Sequence, residues 1–214
     1  DKSAGAGIPL IAIDIPHPHA TYFGVDNYRV GFDAGDLLAE HALSQWKGKV
    51  SWVLGLDLEE AGTLVQSRMT GAFDGIRAKL PDLPVESFVR IDGRGLREKS
   101  HRVVSDFLAR HGKDRNILIA AATDTSALGA LEAVKELKRE KQVAIVGQDC
   151  IAEVVEQMKM PDSPIIGSVS HEVNDYGARI VEIGLALLKG RTVAPYNYIE
   201  HKLITRDSLI GVAE

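Results

Sequence analysis

The apolar residues of this 214-residue chain recur in two rhythms, and the rhythms alternate. Runs that are apolar at nearly every position, and rich in Val and Ile, occupy 8–13, 50–56, 85–91, 116–122, 142–147 and 164–169. A strand that is apolar at both odd and even positions is buried on both faces, as parallel strands covered by helices are. Between these runs the spacing changes to three and four. Leu64, Val65, Met69, Ala72, Phe73, Ile76 and Leu80 share one helical face. The same period recurs through Val103, Val104, Phe107 and Leu108, then through Leu128, Leu131, Val134 and Leu137. Ile180, Val181, Gly184, Leu187 and Leu188 close the series. Strand and helix in alternation predict an α/β protein with an open, doubly wound parallel sheet.

Two stretches break the alternation. Residues 14–28 hold Pro16 and Pro18 and then a short extended run from Tyr22 to Val25, with no room for a helix between them. Residues 195–205 form another extended run, preceded by Lys189-Gly190-Arg191, a sequence that suits a helix C-terminus. Both read as crossings between two lobes. Residues 1–7 read as the end of a helix and its glycine-rich exit. The first strand run would then lack neighbours on one side, so the natural protein is expected to continue upstream of Asp1.

Composition changes this picture little. With 45% hydrophobic and 26% charged residues the chain is an ordinary globular one, and disorder and collagen-like structure are excluded. No apolar run approaches the ~20 residues of a membrane-spanning helix. The only cysteine, Cys150, excludes an internal disulfide and a cysteine-rich zinc knuckle. A net charge of −5 without Lys/Arg blocks gives no electrostatic footprint for nucleic acid.

Candidate chemistry sits where the strand runs end, since open α/β sheets bind ligands beyond the carboxyl ends of their strands. Those ends carry Asp14, Asp57, Asp92, Asp124 and Asp149, with His171 just after the sixth run. An Asp between strand and helix is also a helix N-cap, and that role suits Asp124, which is followed by Thr-Ser-Ala-Leu. No clean helix start follows Asp14 or Asp149, and these two are read as ligand contacts. Arg68 lies within an apolar helical stripe and needs a partner; a planar guanidinium can grip two adjacent hydroxyls or a carboxylate, or it can snorkel to the surface. His17-Pro18-His19 has the spacing of a paired metal ligand. No further histidine cluster accompanies it, and neither a phosphate-binding nor a nucleophile-elbow motif is present, so neither a metal, a cofactor nor catalysis is expected.

Several segments taken together resemble a known pattern. Gly7-Ile8-Pro9-Leu10-Ile11-Ala12-Ile13-Asp14, then Gly24-Val25-Asp26-Asn27-Tyr28 and a helix with Gly31 and Gly35, are similar to type I periplasmic sugar-binding proteins and to the related effector domains of LacI-type repressors. Gln66-Ser67-Arg68-Met69-Thr70-Gly71-Ala72-Phe73 resembles the Arg-x-x-Gly helix of that family. The turn from Ala122-Thr123-Asp124 into Ala127-Leu128-Gly129 and the end Val146-Gly147-Gln148-Asp149 are similar to its third and fourth strand turns, and 166–177 and 189–203 to its last hinge and closing crossover.

The resemblance implies two Rossmann-like lobes joined by three crossings, with a ligand trapped between them by hinge closure. On that template residues 1–24 are the last strand and first crossing of a partial N-terminal lobe. Residues 25–171 make a complete C-terminal lobe, 172–197 a helix returning to the first lobe, and 198–214 the final crossing and a C-terminal-lobe strand. It further implies that Asp14 accepts sugar hydroxyls, Arg68 donates to hydroxyls or a ring oxygen, and Asp149 binds two hydroxyls. Thr123 stands where many members have Asn, His171 where several place an amide, and Ile15 where an Arg is frequent.

The function implied is a non-enzymatic receptor that captures a small sugar or polyol in the periplasm for an ABC importer, with the transporter permease as partner. The alternative is the effector domain of a LacI-type repressor, which would be cytoplasmic, with no direct nucleic-acid contact from this part of the chain. An apolar face on the helix around 180–188, left uncovered by a partial first lobe, leads to the further expectations of a homodimer and of weak ligand binding.

Overall fold

The structure, a computed structural model, describes residues 2–210. Asp1 and residues 211–214, on which the start of the 1–7 reading and the end of the 198–214 segment fall, lie outside the described residues. The strands are β1 (Ile11–Ile13), β2 (Thr21–Val25), β3 (Trp52–Asp57), β4 (Phe88–Asp92), β5 (Ile117–Ala121), β6 (Val143–Gln148), β7 (Ile165–Ser170), β8 (Tyr196–Ile199) and β9 (Lys202–Thr205). The helices are α1 (Lys2–Gly5), α2 (Asn27–Trp46), α3 (Thr63–Lys79), α4 (Arg97–Arg110), α5 (Asp124–Glu136), α6 (Ala152–Lys159), α7 (Tyr176–Leu188) and α8 (Arg206–Ile210). None of the described helices is long and apolar enough to cross a membrane.

The chain divides into two compact units. One runs up to Asp26 and resumes over His171–Lys202; the other comprises Asn27–Ser170 and the chain from Leu203 onward. The first unit holds a small sheet of order β1-β2-β8 with both pairings parallel. Tyr22 and Phe23 are buried in it, while Val181, Leu185 and Leu188 of α7 stand 60%, 50% and 76% exposed.

The second unit is built on a sheet of order β4-β3-β5-β6-β7-β9, in which the pairings from β4 to β7 are parallel. The α/β class and the parallel sheets follow the alternation read from the sequence. Strands β5 and β6 are buried at every position, the signature of a sheet covered on both faces. The core on one side joins Leu54, Leu56, Ile117 and Ile119 of the sheet to Val104, Phe107 and Leu108 of α4 and Leu128 and Leu131 of α5. Removing one of these buried Leu or Ile side chains costs about 2–5 kcal/mol.

Two sequence expectations are corrected here. The run at 85–91 is only partly a strand: after Pro84 the chain makes a 3-10 turn over Val85–Ser87, and β4 begins at Phe88. Pro84 fixes its own φ and Val85 is 66% exposed, so apolar character there reflects no buried strand face. Leu137, read as the last residue of an inward helical face, is the C-cap of α5 and is exposed, because the helix ends before the face turns inward again.

Candidate functional site

The closest packing in the second unit is between α2 and α3, and glycine makes it possible. A Cβ on Gly31 would lie 1.9 Å from the Arg68 carbonyl oxygen, and one on Gly35 2.0 Å from that of Ala72. From the other side, a Cβ on Gly71 would lie 2.0 Å from the Tyr28 oxygen and one on Gly75 2.3 Å from the Phe32 oxygen. The two backbones therefore touch along two turns, a contact that any side chain would separate.

This contact sets the position of Arg68. Its side chain is buried, and its guanidinium donates from Nε to the Asn27 Oδ1 at 2.7 Å and from Nη1 to the Ala122 carbonyl at 2.7 Å. Asn27 opens α2 and Ala122 directly follows β5, so the planar cation is fixed to the carboxyl end of a central strand. The snorkelling alternative open to Arg68 from its spacing is thus replaced by a locked, buried conformation.

The carboxylates at the strand ends divide into two kinds. Asp57, Asp92 and Asp124 are structural. Asp57 is buried, accepts from the Leu58 amide at 2.9 Å and pairs with Arg90 at 3.2 Å; burial is the main cause that raises its pKa, against the opposing pull of that amide and of Arg90. Asp92 accepts from the Arg94 amide at 3.0 Å and shapes its own loop. Asp14 and Asp149 are exposed.

Asp124 departs from the expected cap. The N-cap of α5 is Thr123, whose hydroxyl accepts from the Ser126 amide at 3.2 Å. Thr123 is half-buried, and its hydroxyl is also bonded to Thr125 at 2.9 Å, so the structure gives this proposed contact a capping role first. Asp124 instead turns to the neighbouring strand end. Its Oδ2 accepts from the Ile151 amide at 2.8 Å and its Oδ1 from the Ser168 hydroxyl at 2.7 Å. Desolvation pushes its pKa up to about 7 in spite of those bonds, with the Asp149 charge adding to the rise.

Asp149 follows β6 with φ of 107°, and Cys150 has φ of 55°. Consecutive non-glycine residues in this region are uncommon and strained by about 1–3 kcal/mol each, a feature that concentrates at ligand sites. Arg68 and Asp149 thus belong to the carboxyl ends of the adjacent strands β5 and β6.

In the first unit Asp14 also has positive φ, at 61°, and accepts from the Tyr176 hydroxyl at 2.9 Å. The Tyr176 ring packs edge-on against Phe23 at 5.0 Å, and Gly24 leaves the space that the Asp14 carboxylate fills. His171, directly after β7, is buried. His17 and His19 are exposed, and among the described residues no three His, Cys, Asp or Glu side chains gather as metal ligands do. Asn27 and Ser168 do not stand out in the sequence as site residues, because their importance lies in which partner they hold. A cavity of about 760 Å³ lined by Trp46, Arg115, Asn116 and Gln142 opens at the amino ends of β5 and β6, the wrong ends for this group of side chains.

Comparison with known proteins agrees with this architecture. A family model described as a periplasmic binding protein domain matches residues 1–192, and the chain belongs to that family, one of solute-binding receptors and not of enzymes. No curated protein matches the chain. Among solved structures, it is similar to an ABC transporter periplasmic solute binding protein from Actinobacillus succinogenes 130z with bound D-allose. That likeness has 23% identity and a TM-score of 0.80 and covers 98% of this chain and 74% of the other. A solute binding protein from Agrobacterium vitis with bound allitol is 22% identical, with a TM-score of 0.79 over 99% and 71% of the two chains. GanP, a glucose-galactose binding protein from Geobacillus stearothermophilus, is 21% identical, with a TM-score of 0.75 over 97% and 71%. At these identities the likeness establishes the fold.

Proposed function

We propose that this protein is a solute receptor for an ABC-type importer, working outside the cytoplasm, and that its ligand is a small sugar or polyol. The observation that carries the reading is that a locked guanidinium and an exposed carboxylate stand at the carboxyl ends of adjacent strands. A vicinal diol offers hydroxyls that both donate and accept. Arg68 supplies only donors and Asp149 only acceptors, so two neighbouring hydroxyls can satisfy both groups at once. The other candidate ligand contacts are Thr123 in the second unit and, in the first, Asp14, braced by Tyr176, and His171. Family membership and the sugar- and polyol-bound relatives support the receptor over the repressor effector domain.

The test is a titration of the isotopically labelled protein with D-allose, allitol, glucose, galactose and an amino-acid control, followed by amide chemical shifts. One sugar or polyol should shift residues around Arg68 and Asp149, and Arg68→Ala and Asp149→Ala should each weaken binding at least tenfold, the loss of a charge-assisted hydrogen bond. Shifts with the amino acid alone would overturn the sugar reading. A homodimer formed through the exposed Val181, Leu185 and Leu188 face is the accompanying expectation. Sedimentation that gives a monomer at micromolar concentration would refute it.

A further inference from the structure

The turn that carries Asp149 is held from behind by two residues that present nothing to the surface. Ser168, on β7, and Asp124, at the start of α5, are both fully buried. The Ser168 hydroxyl accepts from the Cys150 amide at 3.0 Å and donates to Asp124 Oδ1 at 2.7 Å, while Asp124 Oδ2 accepts from the Ile151 amide at 2.8 Å. Two successive amides after Asp149 therefore point into one buried carboxylate–hydroxyl pair. The Asp149 amide itself donates to the Val169 carbonyl at 2.9 Å, which ties the same turn to β7.

Room for this arrangement comes from Gly147, where a Cβ would lie 2.1 Å from Asp124 Oδ1. A buried carboxylate is expensive to maintain, and here its hydrogen bonds go to a turn in a strained conformation. Strain of this kind persists only where surrounding groups over-determine it.

We propose that Asp124 and Ser168 are positioning residues for ligand capture: from beneath, they hold Asp149 and Cys150 in the left-handed conformation that presents the Asp149 carboxylate to ligand hydroxyls. This rests on the reading of Asp149 as a ligand contact. Three strands and helices meet in the device. The end of β6 provides the turn, β7 the hydroxyl, and α5 the carboxylate, so the geometry of the contact is set by the assembled sheet and not by the turn's own residues. A carboxylate fixed in advance binds without the entropy loss of ordering its loop, which is how preorganisation raises affinity.

The experiment compares Ser168→Ala, Asp124→Ala and Asp124→Asn with Asp149→Ala, using the sugar titration above and hydrogen exchange of single amides. In Ser168→Ala the Cys150 amide should exchange faster and sugar binding should weaken about tenfold, the scale of one lost buried hydrogen bond. Asp124→Ala should do the same at Ile151. Asp124→Asn keeps an acceptor for that amide and should recover most of the affinity, whereas Asp124→Leu, which fills a similar space without an acceptor, should not. Ser168→Ala keeps the charge and most of the volume, so it remains informative if Asp124→Ala does not fold. Wild-type sugar affinity in Ser168→Ala, alongside loss in Asp149→Ala, would overturn the proposal. Unchanged binding in Asp149→Ala itself would instead overturn the reading of the site beneath it.

Discussion

Gly31→Ala should be among the most destabilising single-methyl additions in this protein. The new Cβ would meet the Arg68 carbonyl oxygen, placed 1.9 Å away, and a backbone atom in the middle of α3 cannot rotate aside. The helices must separate instead. Overpacking of a tight interface costs about 1–3 kcal/mol and occasionally more; with rigid backbone on both sides the upper figure, about 3 kcal/mol, is expected. For a protein of this size that corresponds to a fall of roughly 6–12 °C in Tm. Gly71→Ala, facing the Tyr28 oxygen at 2.0 Å, should behave alike. Gly112→Ala is the control: its Cβ would meet nothing nearer than 3.6 Å, and it should change stability by less than about 0.5 kcal/mol. Thermal and guanidinium unfolding of the three variants measures this. Equal midpoints would show that α2 and α3 can slide to accept a methyl group. Because Gly31 touches Arg68 itself, the destabilised variants should also lose ligand affinity as the guanidinium leaves its fixed place.

The second large effect is on the dependence of stability on pH, through Asp124. Desolvation holds its carboxyl at about 7 in the folded protein, against an ordinary value of 3.8. The folded state thus binds the proton more tightly than the unfolded chain. The stabilisation from that proton is fully present below about pH 4 and is lost as pH rises through about 7. For a displacement of this size the loss is roughly 4 kcal/mol. Asp124→Asn removes the titration while keeping an amide of the same shape. Its stability relative to the wild type should therefore increase as pH rises from 4.5 to 8. Urea midpoints at those two values measure the difference, and a constant gap between the two proteins would show that the carboxylate is better compensated by Ser168 and Ile151 than its burial implies. Asp149, which repels Asp124, contributes part of the effect, so Asp149→Asn should reduce the wild-type slope without abolishing it.

Both predictions concern residues whose role is to hold other residues, and this marks the border of what could be read beforehand. The sequence alone was enough for the α/β class, the parallel strands and the family. Continuous apolar runs and three–four spacings are physical imprints of burial, written residue by residue along the chain. Asp14 and Asp149 stand out as candidates in the sequence because a strand end followed by no helix start leaves a carboxylate without a capping task, and Arg68 because a cation in an apolar helical stripe needs a partner. Gly31, Gly35 and Gly71 also stand in the sequence as members of a pattern.

What those residues do was decided by tertiary structure. Nothing local says that Gly31 is opposed to the carbonyl of Arg68, 37 positions away in sequence, or that Asn27 and the carbonyl of Ala122 share the guanidinium. Asp124 and Thr123 are both good caps by composition; only the meeting of α5 with the ends of β6 and β7 assigns the cap to Thr123 and sends the Asp124 carboxylate to Ser168 and Ile151. The reason is general. Periodicity records whether a side chain is buried, which each residue's own hydrophobicity largely determines. A hydrogen bond or a backbone contact depends on two groups brought within about 3 Å by elements far apart in the chain, a distance that only the assembled sheet and its helices fix.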